Sequence, residues 1–426
     1  MSNYKLKVSR STLNGKVKIS GAKNSSLRLL AASLLSADPI ELQNFPNGLL
    51  DVQVHLDMLR VLGKSYETDG DKVVITENAG ETSTILKWEE RSIRNTLLIL
   101  GALVTRFGEG RVPLPGGCKL GERKYDLHVM LLENLGARVW EEGDYLCAKV
   151  EGGRLKGADI YLPMRSTGAT ENGIITGTLA SGVTTVWNPH IRPEILDLIE
   201  MLNSMGAKIT VFGQKCIRIE GVNRLGGTKH SVIPDNMEAL TWLIASVITK
   251  GNIQIENFPY QHLEVPLIHL RESGARFYKS VSDNTVIVQG GDCYPVEIST
   301  GPYPGINSDM QPLFAVYGAF SDGISKLIDL RFPGRYGYAE ELAKMGMDYS
   351  VEGDLITIKG GKPLHGAEVR ALDLRAGIAL LLAGLNADGE TIISDAWQIS
   401  RGYENIVDKL TALGGTIEVI ENELVA

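Results

Sequence analysis

A glycine-rich loop carries the most reactive side chain that the sequence offers. The stretch PGGCKLGERKYDLH runs from Pro115 to His128 and holds three glycines within seven residues. Glycines allow such a loop to move, and the cations Lys119, Arg123 and Lys124 favour the thiolate form of a neighbouring cysteine. The pattern therefore predicts a reactive thiol at Cys118.

Charged and polar side chains also stand where apolar helical segments begin. Their positions are Lys23 and Asn24, Arg94 and Asn95, Thr170 and Glu171, Asp235 and Asn236, Asp309, and Asp373 and Arg375. A helix N-terminus carries unpaired N–H groups and the positive end of the helix dipole, so several that converge would bind an anion. A cation at such a position is unfavourable unless an anion compensates it. Lys23, Arg94 and Arg375 therefore indicate an anionic ligand.

Simpler structural roles remain open for some of these residues. Asn and Asp are ordinary N-caps, and Asp309 could be no more than a cap. Arg375 could pair with the nearby carboxylate of Asp373 without contacting a ligand. Arg401 could pair with Glu404 in the same way.

Other charged and sulfur-containing residues are expected to have no part in the chemistry. Arg106 and Lys124 are interpreted as solvated surface charges rather than ligand contacts. The remaining cysteines are widely spaced and have no histidine or cysteine at metal-ligand spacing. They are expected to be reduced thiols that behave as small buried apolar groups: Cys147, Cys216 and Cys293.

The composition is that of a globular protein with room for two or more hydrophobic cores. The chain has 426 residues, 43% hydrophobic and 22% charged, with a formal net charge of −8. A protein that coats nucleic acid needs a positive surface, so no nucleic-acid partner is expected. The sequence has neither a leader pattern nor an apolar run long enough to cross a bilayer, so we expect a cytoplasmic protein without membrane contact. It shows no P-loop, dinucleotide fingerprint or metal-ligand cluster, so neither a metal nor an organic cofactor is expected.

A unit of about 70 residues recurs six times along the chain. Each copy contains a helix-like stretch that ends at a hydrophobic residue and glycine, followed by a strand-like stretch. The glycines are Gly63, Gly136, Gly206, Gly274, Gly346 and Gly414. Each stands where a left-handed residue would close the helix. The elements of one unit follow the order β-α-β-α-β-β.

The first helix of each unit is apolar almost all round, whereas the second has a single apolar stripe. The apolar segments are SLRLLAASLL, TLLILGALV, GIITGTLASG, ALTWLIASVI, PLFAVYGAF and GIALLLAGL. Helices of this kind must be buried on every side, so we expect helices inside and strands outside. Three units would form each of two similar lobes, lobe I at residues 22–232 and lobe II at 1–21 and 233–426. The N-terminal stretch KLKVS is expected to complete lobe II.

Six short motifs, in this order and spacing, resemble the UDP-N-acetylglucosamine enolpyruvyl transferases, also called 1-carboxyvinyltransferases. The motifs are GAKN (21–24), PGGC (115–118), GATEN (168–172), SDMQ (308–311), DLRA (373–376) and RGYE (401–404). The resemblance covers the whole chain. Enzymes that act on shikimate 3-phosphate share the fold of this family but lack the PGGC loop, so they match less well.

The resemblance implies an α/β fold of the inside-out α/β barrel type, with two similar lobes and an active site in the cleft between them. It implies two substrates, phosphoenolpyruvate and a uridine nucleotide or nucleotide sugar. A hydroxyl of the acceptor would attack C2 of phosphoenolpyruvate, C3 would take a proton, and phosphate would leave the tetrahedral intermediate. Such a reaction needs cations around the phosphate and carboxylate, an acid for C3 and a base for the hydroxyl. The sequence does not indicate an oligomeric state.

Most positions that match the family's phosphoenolpyruvate site hold arginine or lysine. Guanidinium groups suit bidentate contacts to the phosphate and the carboxylate of this substrate. The matches are Lys23, Arg123 and Arg401 around the phosphate, Arg335 and Arg375 facing the carboxylate, and Arg94 elsewhere in the active site. Cys118 matches the loop thiol that acts as the acid or forms a covalent adduct with phosphoenolpyruvate. This thiol is the target of epoxide inhibition in the family, so sensitivity to fosfomycin is implied. Asp309 matches the carboxylate that takes the acceptor's proton.

A second set of positions matches the family's uridine nucleotide site. Asn24 matches a contact to the sugar, and Asp309 lies beside the reacting hydroxyl. The segment beside uracil is matched by Arg123, Lys124, Tyr125, Asp126, Leu127 and His128, and the diphosphate contact by Arg165, Ser166, Thr167 and Gly168.

Departures from the family pattern cluster where the acceptor sugar is expected. The usual PDRIE-x-GT reads PDNMEALT at residues 234–241, with Asn236 in place of an arginine. The family's usual FENRF is replaced by a longer stretch at residues 329–338. In the family's usual HIDRGYE, the first residue, histidine, is replaced here by Gln398. The acceptor therefore stays open between UDP-N-acetylglucosamine, through its 3-hydroxyl, and another uridine nucleotide such as UMP in specialised metabolism. A non-catalytic paralogue that binds a nucleotide sugar is the third possibility.

Overall fold

The computed structural model describes residues 4–90, 93–115 and 125–421 of the chain. Its helices are α1 (Lys23–Ser33), α2 (Leu50–Val61), α3 (Thr96–Phe107), α4 (Asp126–Asn134), α5 (Thr167–Gly177), α6 (Pro193–Ser204), α7 (Asn236–Ile248), α8 (Glu264–Glu272), α9 (Gln311–Phe320), α10 (Gly337–Ala343), α11 (Leu374–Gly384) and α12 (Ile406–Ala412). Short 3-10 turns lie at Tyr260–His262, Ser308–Met310 and Ala396–Arg401.

The strands are short and follow one another in hairpins or across helices. They are β1 (Tyr4–Ser9), β2 (Asn14–Lys18), β3 (Ile40–Gln43), β4 (Lys64–Asp69), β5 (Lys72–Glu77), β6 (Glu109–Pro113), β7 (Ala137–Glu142), β8 (Tyr145–Val150), β9 (Asp159–Tyr161), β10 (Val183–Trp187), β11 (Lys208–Phe212), β12 (Cys216–Glu220), β13 (Thr228–Ser231), β14 (Asn252–Glu256), β15 (Arg276–Lys279), β16 (Val286–Gln289), β17 (Glu297–Ser299), β18 (Ile324–Ile328), β19 (Asp348–Glu352), β20 (Leu355–Lys359), β21 (Glu368–Arg370), β22 (Glu390–Ser394) and β23 (Thr416–Glu421).

The chain divides into two compact units. The inserted unit contains residues 21–47 and 51–233, and the terminal unit contains 1–20, 48–50 and 234–426. Residues 48–50 were expected in the first lobe but belong to the terminal unit, where the backbone N–H of Gly48 donates to Glu404 at 2.6 Å.

The sheets of both units repeat one pattern of strand pairing. The inserted unit has the strand orders β13-β3-β5-β4, β11-β12-β10-β9 and β6-β8-β7, and the terminal unit has β21-β22-β1-β23, β15-β16-β14-β2 and β17-β18-β20-β19. In the five four-stranded sheets, one edge pair is parallel and the other two pairs are antiparallel. In the three-stranded sheet, a single parallel bridge between Ile85 and Arg111 takes the place of the parallel edge strand. This common pairing confirms that the sequence repeat is a structural repeat.

The N-terminal strand completes a sheet of the terminal unit, as predicted. Strand β1 lies between β22 and β23 and pairs with both in antiparallel fashion, with Leu6 opposite Ile393 and Val419. Leu6 and Val8 are fully buried, so this strand supplies part of the unit's hydrophobic core.

The apolar helices are buried and each unit builds its core around them. In α7, α9 and α11 nearly every residue is buried, and Trp242, Phe314 and Tyr317 are among the largest buried side chains. In α3 and α5 of the inserted unit burial is equally continuous. Because a helix apolar on all sides has no face for water, the sequence pattern alone dictates this position. The prediction of buried helices is confirmed, and the fold is α/β with mixed sheets that, within the described ranges, form no closed barrel.

The six repeat glycines close the second helix of each unit in the left-handed conformation. Their φ angles lie between +84° and +103°, a region in which a side chain is strained. The predicted caps are therefore confirmed. No helix of the described part of the chain has the length and hydropathy needed to cross a membrane.

Candidate active site

In the terminal unit, three charged side chains come together from separate segments. Asp309 lies in the 3-10 turn before α9, Arg335 in the loop between β18 and α10, and Arg375 in the first turn of α11. The carboxylate of Asp373 caps α11, accepting hydrogen bonds from the backbone N–H groups of Arg375 and Ala376 at 2.7 and 2.8 Å. This cap fixes the turn of helix that carries the Arg375 side chain.

These side chains form an ion cluster, called here the Asp309 cluster (Asp309, Arg335, Asp373 and Arg375). Nη1 of Arg335 donates to Oδ1 of Asp309 at 2.9 Å, and its Nη2 lies 3.7 Å from Oδ2 of Asp373. Nε of Arg375 lies 3.5 Å from the second carboxylate oxygen of Asp309. The side chains of Arg335 and Arg375 are 10% and 3% exposed, so two cations are held in a largely buried position.

A buried tyrosine holds the other side of Arg375. The hydroxyl of Tyr403 accepts a hydrogen bond from Nη1 of Arg375 at 3.2 Å and lies 3.0 Å from the hydroxyl of Thr241. Burial disfavours the charged form of Arg375, but Tyr403 and Asp309 outweigh it and raise the pKa of this guanidinium. Burial also raises the pKa of the Tyr403 phenol. Arg375 is therefore a fixed cation beside a neutral hydroxyl.

One donor of the Arg375 guanidinium has no hydrogen-bond acceptor. Its Nε is buried and makes no hydrogen bond to any part of the chain that the structure describes. A buried N–H group without an acceptor is costly, and a carboxylate bound in the fork of the guanidinium would remove that cost. The charges of the Asp309 cluster balance, but its two buried guanidiniums and the Nε donor without a hydrogen bond suit the carboxylate of a small ligand.

The capping interpretation of Asp309 is wrong. The N-cap of its turn is Asn307, whose side chain accepts the backbone N–H of Asp309 at 3.0 Å. The carboxylate of Asp309 binds Arg335 instead. The partner of the Arg375 side chain is likewise Asp309, since Asp373 is used for the cap of α11.

Arg401 ends the 3-10 turn at Ala396–Arg401 in the terminal unit. Its Nη1 donates to Oε1 of Gln398 at 3.0 Å. Gln398 is one of the positions at which the sequence departs from the family motif. The side chain introduced by this departure is therefore in direct contact with Arg401.

In the inserted unit, a buried lysine opens α1. Nζ of Lys23 lies 3.5 Å from Oδ2 of Asp51 in the first turn of α2, and both side chains are almost completely buried. The N-cap residue, Ala22, has no side-chain group that could cap the N–H groups of α1. A buried cation and a helix N-terminus without a side-chain cap together favour an anion at this end of the helix.

The turn that carries Asn24 is held by a neighbouring ion pair. Nη1 of Arg28 donates to the carbonyl of Asn24, and its Nε donates to Glu171 of α5. Burial raises the pKa of the Glu171 carboxyl even though Arg28 opposes the shift. The contacts of Arg28 therefore join the first turn of α1 to α5.

Two buried histidines of this unit bind asparagines in the same way. Nδ1 of His55 in α2 lies 3.0 Å from Nδ2 of Asn95, and Nδ1 of His128 in α4 lies 3.1 Å from Nδ2 of Asn172. Burial is the main cause that lowers the pKa of each histidine to about 3, and the charge of Arg94 adds to it at His128. Arg94 thus lies near a neutral imidazole that the resemblance assigns to the nucleotide site.

The predicted diphosphate segment leads into α5 beside His128. Ser166 is the N-cap of this helix, and the side chains of Arg165 and Thr167 make hydrogen bonds of their own. A Cβ added at Gly168 would lie 3.0 Å from Nε2 of His128. The structure therefore brings together two parts of the predicted nucleotide site that lie 40 residues apart in the sequence.

The remaining predicted nucleotide residues open α4. Tyr125 precedes the helix and Asp126 and Leu127 begin it. The hydroxyl of Tyr125 donates to Glu141, and this hydrogen bond with partial burial raises the pKa of the phenol to about 12. Three predicted residues lie outside the described residues, and their roles stay predictions: Cys118, Arg123 and Lys124.

The expectation that Arg106 is a solvated surface charge is wrong. Its two Nη atoms bind the two carboxylate oxygens of Glu77 at 2.5 and 2.8 Å, and Lys64 shares that carboxylate at 2.9 Å. The three side chains meet where the end of α3 packs near β4 and β5, a contact that no local pattern reveals. The three remaining cysteines are free and buried as predicted: Cys147, Cys216 and Cys293.

Sequence reasoning missed residues that contact the predicted ones. Tyr403 lies inside the RGYE motif and could have been predicted from it, but only the charged residues of the motif were considered. Thr241 ends the stretch PDNMEALT, which was considered only for its departures, whereas Asp51 is joined to the site only through the fold and had no such signal. Among the residues that the structure describes, no group of three His, Cys, Asp or Glu side chains could hold a metal ion.

The chain is similar to known enzymes over almost its full length. The family model described as EPSP synthase (3-phosphoshikimate 1-carboxyvinyltransferase) matches residues 8–410. A UDP-N-acetylglucosamine 1-carboxyvinyltransferase from Actinobacillus succinogenes is 41% identical over 96% of this chain and 97% of its own length. Enzymes of the same name from Aeromonas salmonicida and Ruthia magnifica are 40% and 39% identical, over 97% and 96% of this chain and 98% and 97% of their own lengths.

Solved structures of enolpyruvyl transferases share the fold. The enolpyruvyl transferase NikO from Streptomyces tendae has a TM-score of 0.88 at 24% identity, covering 99% of this chain and all of its own. An EPSP synthase from Acinetobacter baumannii has a TM-score of 0.73 at 19% identity, covering 98% of this chain and all of its own. Taken with the relatives near 40% identity, these similarities show that the chain belongs to the UDP-N-acetylglucosamine 1-carboxyvinyltransferase (enolpyruvyl transferase) family.

Proposed function

We propose that the protein transfers enolpyruvate from phosphoenolpyruvate to the 3-hydroxyl of UDP-N-acetylglucosamine and releases phosphate, a step of peptidoglycan precursor synthesis. The observation that carries the proposal is the identity of 39–41% to enzymes of that name over at least 96% of the chain. The Asp309 cluster supports it independently, because it combines two buried guanidiniums with two partly exposed carboxylates, one of which, Asp309, contacts both arginines.

In this reaction the cluster binds the carboxylate of phosphoenolpyruvate. The forks of Arg335 and Arg375 hold it, and the open Nε of Arg375 gains an acceptor. Asp309 takes the proton of the acceptor hydroxyl as its oxygen forms a bond to C2. The proton added at C3 comes from the Cys118 thiol. In the elimination step phosphate leaves C2 and C3 returns a proton to the Cys118 thiolate, which restores the double bond.

Cations elsewhere stabilise the phosphate while the C–O bond to it breaks. We assign Lys23, Arg123 and Arg401 to this role, with Arg94 as a further cation of the active site. Lys23 is suited to it, since its side chain is largely buried at the N-terminus of α1, where the positive end of the helix dipole adds to its charge. Cations that are already in place stabilise the charge that develops on the leaving phosphate most effectively.

The uridine nucleotide lies along α4 and the start of α5 in this proposal. The assigned contacts are Asn24 to the sugar, Arg123, Lys124, Tyr125, Asp126, Leu127 and His128 beside uracil, and Arg165, Ser166, Thr167 and Gly168 to the diphosphate. The pKa of about 3 makes His128 a neutral contact, which suits an uncharged base. Its ring and Gly168 are close enough that the base and the diphosphate contact neighbouring residues.

The fold proposed for each unit is the inside-out α/β barrel. Its support is the burial of α3 and α5 in one unit and of α7, α9 and α11 in the other, with three mixed sheets in each. The arrangement places helix N-termini, rather than strand ends, at the positions of Asp309, Arg375 and Lys23.

A uridine nucleotide without the amino sugar, such as UMP, is the second candidate acceptor. It is favoured by the departures at Asn236 and Gln398, of which Gln398 contacts the proposed phosphate ligand Arg401. The likeness to NikO carries no weight here, because at 24% identity it shows the fold alone.

Phosphate release tests the proposal. Purified protein is incubated with phosphoenolpyruvate alone, with UDP-N-acetylglucosamine, or with UMP, and inorganic phosphate is measured. The proposal predicts release only with the nucleotide sugar. Release only with UMP would replace the acceptor, and no release under any condition would favour the non-catalytic paralogue.

A further inference from the structure

A buried carboxylate lies beside the Asp309 cluster without belonging to it. Asp329 is 0% exposed, and its Oδ1 accepts hydrogen bonds from the hydroxyl of Thr300 and the backbone N–H groups of Arg331 and Phe332, each at 2.9 Å. Its Oδ2 accepts the hydroxyl of Ser308 at 2.5 Å. Four donors on one buried carboxylate fix its position closely.

Three of these four donors come from the two segments that carry the cluster's opposite charges, and the fourth, Thr300, follows β17. Ser308 immediately precedes Asp309 in the chain. Arg331 and Phe332 begin the loop that ends at Arg335, in the stretch that replaces the family's FENRF. Asp329 therefore joins the segment of the carboxylate to the segment of the guanidinium.

Contacts within the loop connect Asp329 to Arg335. The backbone N–H of Arg335 donates to the carbonyl of Phe332 at 3.1 Å, and its guanidinium carbon lies 5.7 Å from the centre of the Phe332 ring. At the other end, the backbone N–H of Asp329 donates to the hydroxyl of Tyr336, which is next to Arg335. Residues on both sides of the arginine are thus tied to Asp329, Phe332 through its carboxylate and Tyr336 through its backbone N–H.

We propose that Asp329 is a positioning residue that holds Arg335 against Asp309, so that the cluster is preformed for the carboxylate of phosphoenolpyruvate. The inference rests on the proposed function, because phosphoenolpyruvate is the ligand whose binding it affects. It does not make Asp329 a catalytic residue, since all of its contacts within the described residues are to the protein's own hydroxyl and N–H groups.

The test is a double-variant cycle on the full-length protein. Asp329→Ala removes all four acceptor contacts and is expected to raise KM for phosphoenolpyruvate about ten- to a hundred-fold, with KM for the uridine nucleotide unchanged. Added to Arg335→Ala, the same change is expected to cost nothing further, because the arginine through which it acts is gone. Asp329→Asn keeps an oxygen for the loop N–H groups and is expected to restore most of the affinity.

A matched control removes a buried hydrogen bond that involves no residue of the cluster or of the Asp329 loop. Tyr317 in α9 is fully buried, and its hydroxyl bonds the side chain and carbonyl of Ser273. Tyr317→Phe is expected to lower the thermal midpoint without raising KM for phosphoenolpyruvate. If Asp329→Ala does not fold, Ser308→Ala tests the same link and is expected to raise that KM several-fold.

Each outcome decides between the role in positioning and a general effect on stability. Equal losses with and without Arg335, or a change no larger than that of Tyr317→Phe, would overturn the positioning role alone. Unaltered protein that releases no phosphate would overturn the proposed function, and the positioning role with it.

Discussion

Replacing Asp309 with asparagine separates two roles that the Asp309 cluster combines. The carboxylate balances the charges of Arg335 and Arg375, and it is also the group proposed to take the acceptor's proton. Asp309→Asn keeps the shape of the side chain but removes one negative charge and the proton acceptor. The cluster changes from two positive and two negative charges to two positive and one negative. The affinity for phosphoenolpyruvate should therefore stay the same or increase, while proton transfer from the acceptor hydroxyl is lost.

The size of each effect follows from the contacts. Loss of a general base typically costs about a hundred- to ten-thousand-fold in rate, so kcat should fall by that factor. KM for phosphoenolpyruvate should stay the same or fall, because both guanidiniums remain. The charge-assisted bond from Arg335 at 2.9 Å becomes a neutral one, which should lower the free energy of unfolding by about 1–2 kcal/mol. For a unit of this size, that corresponds to a fall in Tm of about 2–8 °C.

Steady-state phosphate release at varied phosphoenolpyruvate, with a thermal unfolding scan, measures all three quantities. Asp373→Asn is the matched control, because it removes the same charge from the same cluster and keeps an oxygen to cap α11. Its kcat should stay within about ten-fold of the unaltered protein, since the carboxylate of Asp373 has no proposed role in proton transfer. The reasoning would be refuted if Asp309→Asn turned over normally, or if its loss lay entirely in KM for phosphoenolpyruvate.

Three further predictions concern other parts of the structure. Tyr403→Phe removes the hydroxyl that holds the buried guanidinium of the cluster, and should raise KM for phosphoenolpyruvate by about ten-fold in kinetic assays. Gly168→Ala should raise KM for the uridine nucleotide several-fold and leave that for phosphoenolpyruvate unchanged, because its Cβ would crowd His128 at 3.0 Å. The Arg106 guanidinium holds the pKa of Glu77 at about 2 in the folded protein, below its usual 4.5. Since a lowered carboxyl pKa stabilises the fold above the unfolded value, the Tm difference between the protein and Glu77→Gln should shrink as pH falls from about 4.5 to about 2.

The architecture was predictable from the sequence because each repeat satisfies the same local rules. Helices without a polar face had to be buried, and a glycine after each amphipathic helix had to supply a left-handed residue, as Gly63 and its five equivalents do. The pairing of β1 with the last two strands needed only an unmatched N-terminal strand and an incomplete final unit. Such features depend on residues close together in the chain.

The partners of the charged residues were not predictable in the same way. Asp373 is two residues from Arg375, yet the helix cap uses the carboxylate and the side chain of Arg375 reaches Asp309 instead. Arg106 pairs with Glu77 rather than with water, because two distant segments meet there. The sequence showed which charges stand at helix ends, and the fold decides which of them face one another.

The most direct test of the central claim is a competition between acceptors. Equal amounts of UDP-N-acetylglucosamine and UMP are incubated with phosphoenolpyruvate and the purified protein, and the products are identified by mass spectrometry. The account predicts that UDP-N-acetylglucosamine gains one enolpyruvyl group, matched by one phosphate released, while UMP is recovered unchanged. Enolpyruvyl-UMP as the main product, or unaltered nucleotides with no phosphate released, would contradict it.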